Sequence, residues 1–298
     1  MPAWSLTAAF ALAYVIVAPL SSDLAAAGYR SELFSRAGFT LWDNGWYGGH
    51  HLLAYSVLAP ALGSLLGTQP LGALAAVLAT AIFGALVSGL FAPRAARVAT
   101  LWLALGVSIT LLANRIPFEL GVAIGLASLL AARHATRRAA LIAPALLLAA
   151  LSALASPVAG AFVALAALAW TVNGWLERRA RAAARGSAAD GAVAPGPRTA
   201  DAISRRAPSP PVALAVTLAL AALAPVVLLT VAFPEGGAQP FVASAFWPAL
   251  AAVLVFIFAL PREQRVLRVG AALYALALIA AYAIPTAVGG NADRLGAL

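Results

Sequence analysis

Asp23 closes the first apolar run of the chain, in "SSD", and further on residues 41–51 read "LWDNGWYGGHH". A carboxylate held where a hydrophobic helix leaves the bilayer is placed to act as general base on a lipid-borne substrate. The same residue also suits a plainer role. "SSDLAAAGYRSELFSRAG" reads as a helix with a Glu32–Arg36 pair at i,i+4 spacing, for which Asp23 is a natural N-cap, and the two roles are compatible. In the second stretch, Trp42, Trp46 and Tyr47 have the chemistry of headgroup-level anchors, and Asp43, His50 and His51 add ionisable groups. Neighbouring histidines point about 100° apart on a helix and to opposite faces on a strand, so His50 and His51 do not form a chelate by adjacency. One of them with Asp23 or Asp43 is a candidate set for a divalent metal ion, contact with an acceptor or phosphate is another role, and plain interfacial polarity is the default reading. A third place, "ANRIPFELG" at 113–121, sets Arg115 and Glu119 one helical turn apart, the spacing of a surface ion pair.

Such groups need elements to hold them, and composition says in which solvent those elements lie. Of 298 residues, 63% are hydrophobic and only 10% charged, with mean hydropathy +0.94. That excludes a water-soluble globule and predicts a polytopic membrane protein. With no cysteine, disulfides, thiolate metal sites and cysteine nucleophiles are excluded. A bilayer core about 30 Å thick takes roughly 20 apolar helical residues. Nine segments meet that measure: 4–22, 70–91, 98–113, 117–132, 139–155, 157–173, 211–232, 241–260 and 269–288. A tenth run, 52–67, is shorter and carries Pro60. The expectation is therefore an all-α transmembrane helix bundle of about nine spans, with juxtamembrane helices in its first outer loop.

All 19 basic residues are arginine, and the formal net charge is +9. No compact basic face or nucleic-acid motif accompanies that charge, so no nucleic-acid partner is expected; membrane topology explains it better. If 52–67 lies at the surface, fifteen arginines fall on one side of the membrane and only Arg30, Arg36, Arg115 and Arg294 on the other. The positive-inside rule then puts the N-terminus in the cytoplasm and residues 23–69 outside, in a plasma (inner) membrane. If 52–67 spans, the N-terminus and opening loop exchange sides. The first apolar run has no basic residue before it and reads as a retained helix, not an export signal.

The chain divides into an N-terminal transmembrane module, 1–173, with its outer loop 23–69; a basic cytoplasmic segment, 174–210; and further transmembrane helices over 211–298, read as a front portion of something longer or as a reduced form. The first part of 174–210, to about Arg185, continues the preceding helix. Beyond it, Gly, Ser, Pro and Ala without apolar periodicity predict disorder. "GSLLG" at 63–67 and "GVAIG" at 121–125 have the spacing of close helix contacts.

The order of features resembles GT-C glycosyltransferases, the superfamily of protein mannosyltransferases and lipid A aminoarabinose transferases. Their first span ends in an outer acidic motif, followed by a juxtamembrane helix, an aromatic loop with histidine, a short apolar helix and a second span ending in arginine. Here the series runs "SSD" (21–23), "AGYRSELFSRAG", "WYGGHHLLAYSVLAPALGSLLG" (46–67) and "PLGALAAVLATAIFGALVSGLFAPRAAR" (70–97), with "ANRIPFELG" matching the arginine and acid at a later span. The match covers about the first 130 residues. A lone Asp23 stands for the usual acidic pair, and His51-Leu52 replaces a histidine followed by prolines. The resemblance implies transfer of a sugar from a polyprenyl-phosphate donor at the outer face, with Asp23 as base. Arg115 would contact phosphate, Glu119 would orient it or bind metal, and Trp42, Asp43, Trp46, Tyr47, His50 and His51 would wall the substrate site. No cofactor follows with certainty beyond a candidate divalent metal. The alternatives are a polytopic transporter or flippase and a non-catalytic membrane scaffold. Ionisable residues are missing from the middle of the nine segments, which argues against a proton- or ion-coupled relay. No P-loop, dinucleotide-binding glycine fingerprint, HExxH or serine elbow is present, which disfavours a nucleotide-using enzyme.

Overall fold

The computed structural model describes residues 2–45, 49–189, 210–234, 237–286, 288–296 and 298. Eleven α-helices account for most of them: α1 Ala3–Val17, α2 Ser22–Ala37, α3 Leu58–Leu66, α4 Thr68–Ser88, α5 Pro93–Leu112, α6 Ile116–Ala135, α7 Ile142–Ala155, α8 Pro157–Ala189, α9 Val212–Ala232, α10 Ala243–Ala259 and α11 Arg265–Ala283. A two-residue hairpin, β1 Trp42–Asp43 and β2 His50–His51, is the one sheet among the described residues. A C-terminal 3-10 helix, Gly289–Leu295, ends the described fold.

Among the described residues, six helices are long and apolar enough to cross a bilayer: α4, α5, α6, α8 to Ala183, α9 and α11. The other three expected segments are helical but shorter, α1 with 15 residues, Ala139–Ala155 with its opening 3-10 turn, and α10 with 17. α3 has nine residues, about 14 Å of helix, and covers less than half of the hydrocarbon core. α8 continues well past residue 173, through the arginines at 178–185, before the described chain stops at Ala189. Of the stretch expected to be disordered, beyond about Arg185 to 210, residues 186–189 continue α8, and 190–209 lie outside the described residues.

Packing follows the logic of a membrane interior, where apolar burial against other helices gains little over burial in lipid. Many of the fully enclosed positions are alanine, among them Ala76, Ala79, Ala145, Ala149, Ala153, Ala167, Ala215 and Ala222, beside a few large side chains such as Phe118, Leu111 and Leu218. Large apolar side chains, such as Ile16, Trp102, Val231 and Phe258, point outward. Gly121 and Gly125 of α6 lie against α7 and α8, and a Cβ on Gly121 would come within 2.6 Å of the Ala159 Cβ. The small-residue spacing at 121–125 thus serves contacts inside this chain.

α6 is central, packing on α4, α7 and α8; α9 lies on α7 and α8, and α10 pairs with α11. The turns at one end of the bundle meet one another. Ser21 bonds the Ala113 carbonyl at 3.2 Å, the Val57 amide bonds the Leu154 carbonyl at 2.8 Å, and the His51 ring lies 5.7 Å from Phe233. At the opposite end Arg133 donates to the carbonyls of Leu86 and Gly89, at 2.7 and 2.6 Å. These are called below the Asp23 end and the arginine-rich end.

Candidate functional site

The site begins with the break between α1 and α2. Ala18 takes a left-handed conformation, φ 48°, and Pro19 follows, which stops α1; α2 leaves at 77° to it. The N-cap of α2 is Ser21, and its Oγ accepts from the Leu24 amide at 3.2 Å. This corrects the expectation that Asp23 caps the helix. Ser21 has the extended backbone that aims its oxygen at the third helical amide, whereas Asp23 already lies inside the first turn. Its carboxylate is thereby left out of capping and stands at the boundary of the bundle.

Opposite it, the α5–α6 turn carries Arg115. Asn114 adopts φ 56°, a conformation asparagine tolerates better than most residues, and its side chain ties the turn to α1. The Asn114 amide donates to the Pro19 carbonyl at 3.2 Å, its oxygen accepts from the Tyr14 hydroxyl, and Gln69 donates to the same Pro19 carbonyl at 3.3 Å. With Ser21 on the Ala113 carbonyl, two turns far apart in sequence are locked together. The outcome is an Arg115 Nε to Asp23 Oδ2 separation of 3.9 Å, with side chains 32% and 42% exposed. A pair this long and open is worth about 1 kcal/mol or less, so it positions the carboxylate without consuming it.

Glu119 does not join Arg115 in a surface pair. It is fully buried and accepts a hydrogen bond from Thr110 of α5, while its Oε2 has no hydrogen-bond partner. A carboxyl so enclosed cannot touch a substrate in this arrangement.

The hairpin divides its histidines as strand geometry requires. His50 Nε2 lies 3.2 Å from an Arg30 guanidinium nitrogen and acts as the acceptor, since guanidinium has only donors. His51 faces the other way, edge-on to Trp42 at 4.9 Å between centroids. Asp43 accepts from the Tyr29 hydroxyl at 2.8 Å and from the Gly45 amide at 3.2 Å, which shapes the turn of the hairpin. Trp46 and Tyr47 lie outside the described residues, as does Glu235. Among the described residues no three His, Cys, Asp or Glu side chains gather to hold a metal ion.

Four participants escaped the sequence reading: Arg30, Tyr55, Asp293 and Arg294. Arg30 is almost wholly buried and its guanidinium lies 4.2 Å over the Tyr55 ring. Tyr55 as a residue is 39% exposed, yet burial of its hydroxyl raises that group's pKa, and Arg30, Arg294 and Arg115 pull the other way. Arg294 reaches back from the C-terminal 3-10 helix to lie 5.5 Å from the Phe118 ring centroid. Burial lowers its pKa, as does the field of Arg115, against the opposing fields of Tyr55, Asp23 and Asp293. Burial likewise raises the Asp293 carboxyl, opposed by Arg115 and Arg294. A signal for this cluster was present in the charge pattern. Of the four arginines at the arginine-poor end, Arg36 pairs with Glu32 at 3.6 Å, and the other three converge around Tyr55 and Asp23. Beside them a narrow crevice, lined in part by Arg30, Tyr55, Ser56 and Pro117, has room of about 10 Å³, one water molecule.

No family model, curated protein or solved structure matches the chain.

Proposed function

We propose that this chain is an integral membrane glycosyltransferase of GT-C type, or a reduced relative, that moves a sugar from a polyprenyl-phosphate donor to an acceptor hydroxyl. The observation that carries the reading is the meeting of one partly open carboxylate, Asp23, with Arg115, within the field of Arg294 and of Arg30 at Tyr55, at one end of an apolar helix bundle. In the step, Asp23 takes the acceptor's hydroxyl proton as its oxygen bonds the anomeric carbon. The bond from that carbon to the phosphate oxygen breaks, and the polyprenyl phosphate leaves with the electron pair. Guanidinium groups offset the charge that develops on the departing phosphate. Because the crevice holds only about one water, the reactants meet Asp23 at the open boundary of the bundle and not in a closed chamber.

The reading places the Asp23 end outside a plasma (inner) membrane and the arginine-rich end in the cytoplasm, with nine crossings that include α1, α7 and α10. It is tested by transfer from a radiolabelled polyprenyl-phosphate sugar in membranes holding the full chain. Asp23→Asn is expected to lose a hundredfold or more of activity, within the range for removing a general base. Equal activity of parent and variant would remove Asp23 from the chemistry, and no transfer by either would favour a carrier or a scaffold.

A further inference from the structure

A second cavity lies at the other end of the bundle, away from Asp23. It has a volume of about 540 Å³, within the size range of small-molecule sites, and opens between the start of α1, the second half of α4 and the first half of α5. Its lining divides by chemistry. The walls are Ala3, Ala81, Gly84 and Ala85, with Trp4 at the mouth. The hydroxyls among the lining residues are already engaged: Thr80 bonds the Ala76 carbonyl at 3.0 Å and Thr7 at 3.1 Å, Thr100 bonds the Ala96 carbonyl at 2.7 Å, and Ser88 bonds the Ala85 carbonyl at 3.0 Å. Arg97 is the exception. It lines the cavity, is exposed, and has no side-chain hydrogen bond or ion pair among the described residues.

A pocket with satisfied hydroxyls, apolar walls and one unpaired cation complements a molecule with one anionic group on an apolar body. Set in a helix bundle whose outward face is apolar, it opens where lipid headgroups meet the arginine-rich end. The geometry points to a binding site for one anionic phospholipid, with its phosphate at Arg97 and part of an acyl chain along Ala81, Gly84 and Ala85. Trp4 suits the level of the headgroup boundary. Gly84 lets α4 and α5 approach closely beside the groove, since a Cβ there would meet the Thr100 methyl at 3.3 Å. The site is independent of the transferase reading and shares no residue with it.

The test is displacement of a fluorescent phosphatidylglycerol from the detergent-solubilised full chain, read by anisotropy. Unlabelled phosphatidylglycerol is expected to compete at least tenfold better than phosphatidylcholine, and millimolar inorganic phosphate is expected not to compete. Arg97→Gln should weaken binding about tenfold or more, Arg97→Lys should retain most of it, and Ala81→Phe should abolish it by filling the groove. Arg94, exposed on the same helix but outside the cavity lining, supplies the control, and Arg94→Gln should bind like the parent. Equal loss in Arg94→Gln and Arg97→Gln would overturn the site in favour of diffuse surface charge. Unchanged binding in Arg97→Gln, or displacement by inorganic phosphate as effective as by the lipid, would overturn it as well. Arg97 is exposed and unpaired, so its variants keep the test meaningful even if Ala81→Phe does not fold.

Discussion

At the scale of single residues, the guanidinium groups of the Asp23 end make contacts with aromatic rings as well as with carboxylates. Arg115 shares Asp23 only at 3.9 Å, Arg30 leans on an aromatic face, and Arg294 lies over another. Guanidinium presents donors in a planar fork, which a lysine ammonium cannot copy. Arg115→Gln should therefore lower sugar transfer about a hundredfold in the membrane assay, and Arg115→Lys should restore only part of it; full activity in the glutamine variant would count against a phosphate role. Glu119 makes a different prediction, because it is enclosed and bonded to Thr110. Glu119→Gln keeps an acceptor for that hydroxyl and should leave stability within about 1 kcal/mol, whereas Glu119→Ala leaves Thr110 without it and opens a void, at a cost of about 1–3 kcal/mol or more. Thermal melting of the solubilised protein distinguishes the two. The sequence shows Arg115 and Glu119 one turn apart, and a surface pair is the natural reading. It does not show that α5 supplies Thr110 on the buried side, since that depends on how two helices are rotated against each other.

At the scale of elements, a single hydroxyl holds the corner from which the site is built. Ser21 both accepts from Leu24 and reaches the Ala113 carbonyl, so Ser21→Ala removes the cap of α2 and a tie to the α5–α6 turn together. We expect a loss of about 1–2 kcal/mol in stability, and a larger fall in transfer than in melting temperature, because Asp23 and Arg115 lose their common reference. "SSD" names the capping region in sequence, but two serines and an aspartate in a row leave the capping residue open until the backbone angle of each is known. The C-terminal 3-10 helix was harder still, since "GGNADRLGAL" carries no apolar period. Its anchor is tertiary: the Tyr274 hydroxyl donates to the Ala292 carbonyl at 2.8 Å and accepts from the Gly296 amide at 3.0 Å. Burial raises the Asp293 carboxyl there, against the fields of Arg115 and Arg294, so the docked helix holds that proton more firmly than the undocked one. Docking is then most favoured below the ordinary carboxylate range and weakens as pH rises through the raised value. Hydrogen-exchange protection factors at residues 289–296, corrected for the intrinsic pH dependence of exchange, should fall across that window in the parent and stay flat with pH in Asp293→Asn.

At the scale of the whole molecule, the helical and membrane character was legible because bilayer thickness leaves so few solutions: long apolar helices must appear as long apolar runs. What joined α1, the α5–α6 turn and the C-terminal helix into one place was not legible, since contacts between small residues such as Gly121 and Ala159 leave no periodic mark distinct from the general abundance of alanine and glycine. Orientation rests on the arginines, and the described turns now say which residues share an end. The absence of cysteine makes that testable without background, because any introduced thiol is unique. Glu32 and Ala95 are both exposed, the first on α2 at the Asp23 end and the second near the start of α5 at the arginine-rich end. In intact cells a membrane-impermeant maleimide should label Glu32→Cys, and it should reach Ala95→Cys only after permeabilisation. The reverse pattern would place Asp23 and its guanidinium neighbours in the cytoplasm, where a donor presented at the outer leaflet could not meet them.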